Sequence, residues 1–287
     1  MKRGVEIFRQ VLARAHAQRG VAIMGICNVT PDSFSDGGNF FSPDAARARV
    51  DELVAEGADL IDIGGESTRP GAPPVPPSEQ IARILDVVAY AASGGACVSV
   101  DTASADVAAA CLAQGASVVN DVSCLRDHAL AGVVAGARAA LILMHSRGTA
   151  LEMVRFSEYP TGGYTDVVKE TCAEWEAAAR RARSLGVADE AMAMDPGLGF
   201  AKNALQSAEL VARLREIVET VRVPVVVGAS RKSFLTLVDP GAAPGQRSGA
   251  SIAAALLAVR AGAAILRVHD VRATRQAVDL TRRLGGE

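Results

Sequence analysis

The sequence predicts one closed (β/α)8 barrel, a TIM-barrel member of the α/β class. Three observations predict it. Short apolar runs alternate with Ala/Leu/Arg-rich stretches of helical period, strand then helix, about eight times along 287 residues. Many of those runs end abruptly in Asp, Asn, Lys, Arg or His, a placement that a core does not need but a site at one mouth of a barrel does. Small residues dominate and aromatics make up only 4% of the chain, which suits close packing of helices on a sheet. A doubly wound open sheet is the alternative, and the G-x-G-x-x-G that would open a dinucleotide-binding version is absent.

Residues 1–20 read as a short amphipathic helical extension, and residues 21–287 as the barrel domain. The extension lacks the apolar core of a signal peptide. Strands are expected over 22–27, 60–64, 97–101, 117–120, 140–145, 191–195, 223–228 and 264–268. Helical periodicity marks 43–56, 78–92, 105–114 and 208–221, and an Ala-rich helix spans 251–261. The Pro-rich stretch 70–77 and the Pro/Gly patch 239–245 punctuate the barrel and do not divide it. Residues 146–164 form a longer strand-to-helix loop, suited to covering a site.

Side chains alternate across a strand, so period two sorts them by face. Met24, Ile26 and Asn28 share one face of the first strand, and Ser99 and Asp101 share one in the third. Val118 pairs with Asn120, Ala193 with Asp195, and Ile265 with Arg267 and His269. If these faces point inward, carboxylates, amides, an arginine and a histidine converge at the carboxyl mouth. Burying them without a ligand or mutual pairing is expensive.

Bulk properties exclude some classes. A formal net charge of −2 argues against a general nucleic-acid or membrane-surface binder. No apolar run approaches the roughly 18 residues that span a bilayer. The five cysteines are odd in number and include no C-x-x-C pair, which suits reduced thiols in a cytoplasmic protein. The four histidines show no metal-binding spacing, so a structural zinc site is not expected.

Asp101 and Asp195 lie on different strands and admit three readings. They can perform paired acid/base or glycosidase chemistry, they can cap the helices that follow, or, with Asn120, they can accept hydrogen bonds from a donor-rich heterocycle such as an aminopyrimidine. Gly64-Gly65-Glu66-Ser67-Thr68-Arg69-Pro70-Gly71 joins paired glycines to a cationic loop suited to an anion. Asp195-Pro196-Gly197-Leu198-Gly199-Phe200-Ala201-Lys202 reads as a tight turn with close backbone approach. Lys232 can donate to a ring carbonyl or nitrogen, whereas Arg231 suits a structural ion pair better than ligand contact. Arg267 can stack on a ring, and His269 can meet an anionic leaving group. Asn28 offers a hard oxygen that reaches Mg²⁺ when phosphates supply the other ligands. Asp32 suits a turn or cap, and His145 has no evident task.

Taken in order from residue 24 to 271, these segments resemble the dihydropteroate synthase family. They include Gly25-Ile26-Cys27-Asn28-Val29-Thr30-Pro31-Asp32-Ser33-Phe34-Ser35-Asp36-Gly37-Gly38, the Gly64 loop, Asn120-Asp121-Val122, Leu143-Met144-His145, the Asp195 turn, Ser230-Arg231-Lys232-Ser233 and Arg267-Val268-His269-Asp270. The resemblance implies condensation of 6-hydroxymethyl-7,8-dihydropterin diphosphate with 4-aminobenzoate, giving 7,8-dihydropteroate and diphosphate in folate biosynthesis. It implies that Asp101, Asn120, Asp195, Lys232, Arg267 and Met144 hold the pterin, and that Thr68, Arg69, Arg267 and His269 surround the diphosphate. It places Phe34, Pro70, Phe200, Lys232 and Ser233 around aminobenzoate, with Mg²⁺ on Asn28. Asp101, Lys232, Arg69 and Asp36 are its catalytic set, Asp36 and Arg69 lying on loops that order over the substrates. It also implies a homodimer, and competition by sulfonamides, which mimic aminobenzoate, at the Ser233 pocket. The alternatives are a methyltetrahydrofolate:corrinoid methyltransferase of the same wider family and a non-catalytic pterin-binding protein. The Thr68-Arg69-Pro70 loop and Lys232-Ser233 favour the synthase.

Overall fold

A computed structural model of the chain describes residues 4–30, 43–67, 72–148 and 163–285. Eight strands run β1 (Ala22–Asn28), β2 (Leu60–Gly64), β3 (Cys97–Asp101), β4 (Val118–Asp121), β5 (Ala140–Met144), β6 (Met192–Asp195), β7 (Val226–Val227) and β8 (Ile265–Val268). Helix α1 (Gly4–Arg19) precedes them. Between and after them lie α2 (Pro43–Glu56), α3 (Pro77–Ser93), α4 (Ala105–Ala113), α5 (Ala129–Ala137), α6 (Val167–Ser184), α7 (Ala204–Ala212), α8 (Leu214–Val221), α9 (Ser248–Arg260) and α10 (Val271–Arg283). Every strand pairing is parallel, in the order β6-β5-β4-β3-β2-β1-β8-β7. A single bridge between Met194 and Val225 joins β6 to the chain entering β7 and completes the ring. This is the expected (β/α)8 barrel.

The alternation along each strand divides the core in two. Outward residues such as Ile23, Ile61, Val98, Val119, Leu141 and Met192 pack under the helices. Inward residues such as Met24, Leu60, Val118, Ile142, Ala193 and Ile265 form a separate apolar cluster inside the ring. Phe8, Val11 and Ala15 of α1 join that inner cluster. The N-terminal helix thus closes one mouth of the barrel with apolar side chains, and the polar groups collect at the other.

Several boundaries differ from the sequence reading for physical reasons. The seventh strand shrinks to two residues because Pro224 has no N–H to donate, although its carbonyl accepts from Met194 N at 2.9 Å. Ala191 closes a short 3-10 turn and so precedes β6. The segment expected as one helix over 208–221 is two, α7 and α8. They divide at Arg213, whose guanidinium is drawn to Glu209, Glu216 and Asp166. Helix α7 also begins earlier than expected, because Asn203 and Gln206 form a reciprocal capping box. Replacing Asn203 with alanine is expected to cost about 1 kcal/mol of stability in denaturant unfolding; an unchanged midpoint would mean that the box contributes nothing.

Candidate active site

The polar mouth is organised around a buried charge triad. Arg267, on β8, donates from Nε to Asp62 Oδ2 at 2.6 Å and from Nη2 to Asp101 Oδ2 at 2.7 Å. Asn120 Nδ2 donates to the same Asp62 oxygen at 3.2 Å. Strand register places Asp101 beside both Gly64 and Asn120, so four strands contribute to one cluster. Burial pushes the Asp101 carboxyl up to about 7, with the Arg267 guanidinium pulling against it. Sequence reading missed Asp62. It is fully buried and holds two of the expected site residues. The signal was present, because period two puts Leu60, Asp62 and Gly64 on one face.

Asp195 ends β6 in the same mouth. Its Oδ1 accepts from Gly197 N at 2.7 Å, and no described residue bonds its Oδ2. Burial raises its carboxyl, against that backbone donor and the nearby cations. Met144 lies beside Asp195 in the β5–β6 register. A side chain on Gly228 would approach Asp195 Oδ2 and Arg267, so glycine there leaves the floor between them open. Lys232 Nζ lies 4.2 Å from the centroid of the Phe200 ring. Burial draws this ammonium down to about 8, while Asp195 and Asp101 act in the opposite sense. Ser233 follows it as the first residue of a 3-10 turn, so the two residues enter one wall together.

At the end of β8, His269 shares a hydrogen bond with Ser230 across 3.1 Å between Nδ1 and Oγ. Burial, Arg231 and Arg267 push it down to about 3, so it is neutral at pH 7 and can meet a diphosphate only as a hydrogen-bonding group. Arg231 pairs with Asp270 at 2.5 Å, the structural ion pair expected of it. Asn28 ends β1 near Gly64, and among the described residues no side chain bonds its amide. The described residues include no group of three His, Cys, Asp or Glu side chains able to cage a metal. A hard-oxygen amide beside an acidic mouth fits a cation whose other ligands come from a substrate's phosphates and water.

Sequence reading also left a second cluster without a role. His145, which had no evident task, lies between Lys202 and Glu174, and Arg147 also pairs with Glu174. Phe34, Asp36, Thr68, Arg69, Pro70 and Asp32 lie outside the described residues.

Comparison with known proteins agrees with this geometry. The family described as "Pterin binding enzyme" matches residues 24–269. The dihydropteroate synthase of Mycobacterium leprae is 44% identical over 260 residues, 88% of this chain and 90% of that protein. The structure of Xanthomonas albilineans dihydropteroate synthase with 4-aminobenzoic acid superposes with a TM-score of 0.84 at 39% identity, covering 93% of this chain and 94% of that one. The same enzyme in complex with 7,8-dihydropteroate gives a TM-score of 0.82 at 36% identity, over 93% and 94% of the two chains.

Proposed function

This chain belongs to the pterin-binding enzyme family, and from that premise we propose how its site acts. Its activity is that of a dihydropteroate synthase. It joins 6-hydroxymethyl-7,8-dihydropterin diphosphate to 4-aminobenzoate and releases diphosphate. The observation that carries the reading is the convergence of Asp101, Asn120, Asp195, Lys232 and Arg267 at one barrel mouth. A pterin presents an aminopyrimidine edge rich in donors, and Asp195 Oδ2 and the amide of Asn120 are the groups to read it. Arg267, held by two carboxylates, offers its guanidinium face to the ring. Phe200 and Ser233, flanking Lys232, form the wall for the aminobenzoate ring.

In this reading the C–O bond to diphosphate breaks largely before the amine attacks. Positive charge then spreads into the pterin, where the Asp101 carboxylate opposes it. The aminobenzoate nitrogen bonds to the exocyclic carbon and loses a proton. No enzyme nucleophile is required. Asn28 would hold the magnesium ion, which supplies charge neutralisation to the diphosphate when bound. Thr68 and Arg69 would meet the same diphosphate, with Arg267 and His269 on its other side. Phe34 and Pro70 would complete the aminobenzoate pocket, and Asp36 would close over it.

The same reading extends to assembly and location. A homodimer through the last helices is supported by exposed leucines at 257, 280 and 284 on α9 and at the end of α10. A cytoplasmic location is supported by five free thiols.

The test is a coupled assay of diphosphate release with Mg²⁺, with and without 4-aminobenzoate. Release that depends on aminobenzoate, with dihydropteroate formed, is expected. Pterin binding without condensation would turn attention to methyl transfer to a corrinoid protein. The activity should also show a narrow pH bell. kcat/KM rises as Asp101 ionises near 7 and falls as Lys232 loses its proton near 8, these being apparent values of the interacting set. A profile flat from about pH 6 to 9 would remove both groups from the rate-determining ionisations.

A further inference from the structure

Lys202 is 1% exposed, and its position at the foot of the site has no explanation in the reaction described above. Its Nζ lies 2.8 Å from His145 Nδ1, 3.2 Å from the carbonyl of Gly197 and 3.1 Å from the carbonyl of Phe200. An ammonium has three donors, and here each has one acceptor. Among the described residues no carboxylate lies within ion-pair distance of it. Burial accordingly draws it down to about 7. A buried cation without a paired anion costs stability, and an apolar side chain of the same length would fill the space more cheaply. Its presence therefore asks for a role that packing does not supply.

The three acceptors suggest that role. Gly197 connects to the pterin side through its N–H, which binds Asp195. Its carbonyl accepts from both Phe200 N and Lys202. Phe200 carries the ring beneath Lys232. His145 directly follows the neighbouring strand β5, and its other nitrogen lies 3.0 Å from Glu174 of α6. Gly197 itself has φ +69°, and a Cβ there would lie 2.0 Å from the His145 carbonyl, so the turn is pressed flat on the end of β5.

We propose that Lys202 is a positioning residue, whose ammonium clamps the 195–202 turn against His145 and thereby fixes the Phe200 wall of the aminobenzoate pocket. The proposal rests on the synthase reading for its kinetic consequence, but the clamp itself can be measured apart from it. Asp195 is anchored by its strand as well as by the turn, whereas Phe200 lies within the turn, whose other tie is the bond from Gly199 N to Ser207 Oγ of α7 at 3.1 Å. Loss of the clamp therefore falls on aminobenzoate rather than on the pterin.

The test compares Lys202→Met with Lys202→Gln, which retains two donors and serves if the methionine chain does not fold. The KM for aminobenzoate is expected to rise about tenfold in the methionine variant and about threefold in the glutamine variant, the loss of hydrogen bonds from a charged donor. Pterin diphosphate affinity, by calorimetry, stays within about twofold in both. Amide exchange at Gly199 and Phe200 accelerates while that of β6 does not. An unchanged KM with unchanged exchange overturns the proposal. So does a common factor on KM, kcat and pterin affinity, which would make Lys202 a general structural residue. Absence of dihydropteroate formation by the parent chain would instead sink the activity reading, and the exchange data would still decide the clamp.

Discussion

Replacing Asp195 with alanine lowers affinity for the pterin substrate by about 2–4 kcal/mol, roughly 30- to 1000-fold. The size follows from where the carboxylate sits. Gly197 N holds Oδ1, leaving Oδ2 without a described partner at the mouth of the barrel. Ring N–H groups that enter this dry site without an acceptor lose their water and gain nothing. The same burial gives the prediction a control. A carboxyl raised above its unfolded value contributes stability only at low pH, and that contribution is lost as pH rises through its folded value. Once ionised, Asp195 therefore burdens the empty protein. The alanine variant should bind pterin poorly and yet be no less stable at pH 8. Calorimetry showing near-normal pterin binding would remove Asp195 from the site. Poor binding together with marked destabilisation would give it a structural role.

How much of this was legible in the sequence depended on distance along the chain. Asp101, Asn120, Asp195 and Arg267 end apolar strands, and period two alone places them on inward faces. Asp62 obeys the same rule but lies two residues before the paired glycines, whose loop chemistry drew the reading away from it. Lys202 and Glu174 could not be found this way. Their meeting at His145 depends on how a turn and a helix return to the end of β5, and spans 57 and 29 residues of sequence. The charge state of His269 was likewise hidden, because burial against two arginines is a property of the fold and not of the motif. The helix break at Arg213 was missed for a related reason. Apolar periodicity continues through it, and the charged partners that hold Arg213 include Asp166, the N-cap residue of α6.

Replacing Arg267 with methionine should lower stability by about 3–5 kcal/mol at pH 8, because it leaves two buried carboxylates facing each other without a cation. The arginine is the only described cation in direct contact with either Asp62 or Asp101. Asp62 is the more exposed to the loss in energetic terms. Among the described residues its Oδ1 already lacks a hydrogen-bond partner, and without Arg267 its Oδ2 keeps only Asn120. Without the guanidinium that pulls against its burial, the Asp101 carboxyl would resist ionisation further, so the folded variant would bind protons more tightly than the unfolded chain. A raised folded pKa favours folding below the unfolded carboxylate value of about 4 and loses that advantage as pH rises. The stability gap between parent and variant should therefore be wider at pH 8 than at pH 5. Denaturant unfolding at the two pH values checks this, and a gap that narrows with rising pH would show that the carboxylates do not depend on Arg267. Adding Asp62→Asn to the methionine variant should recover part of the loss at pH 8, since it removes one stranded charge. That recovery would not restore turnover, because the guanidinium that faces the pterin would still be missing. Separation of the two effects is what distinguishes a cation retained for its ligand from one retained for the fold.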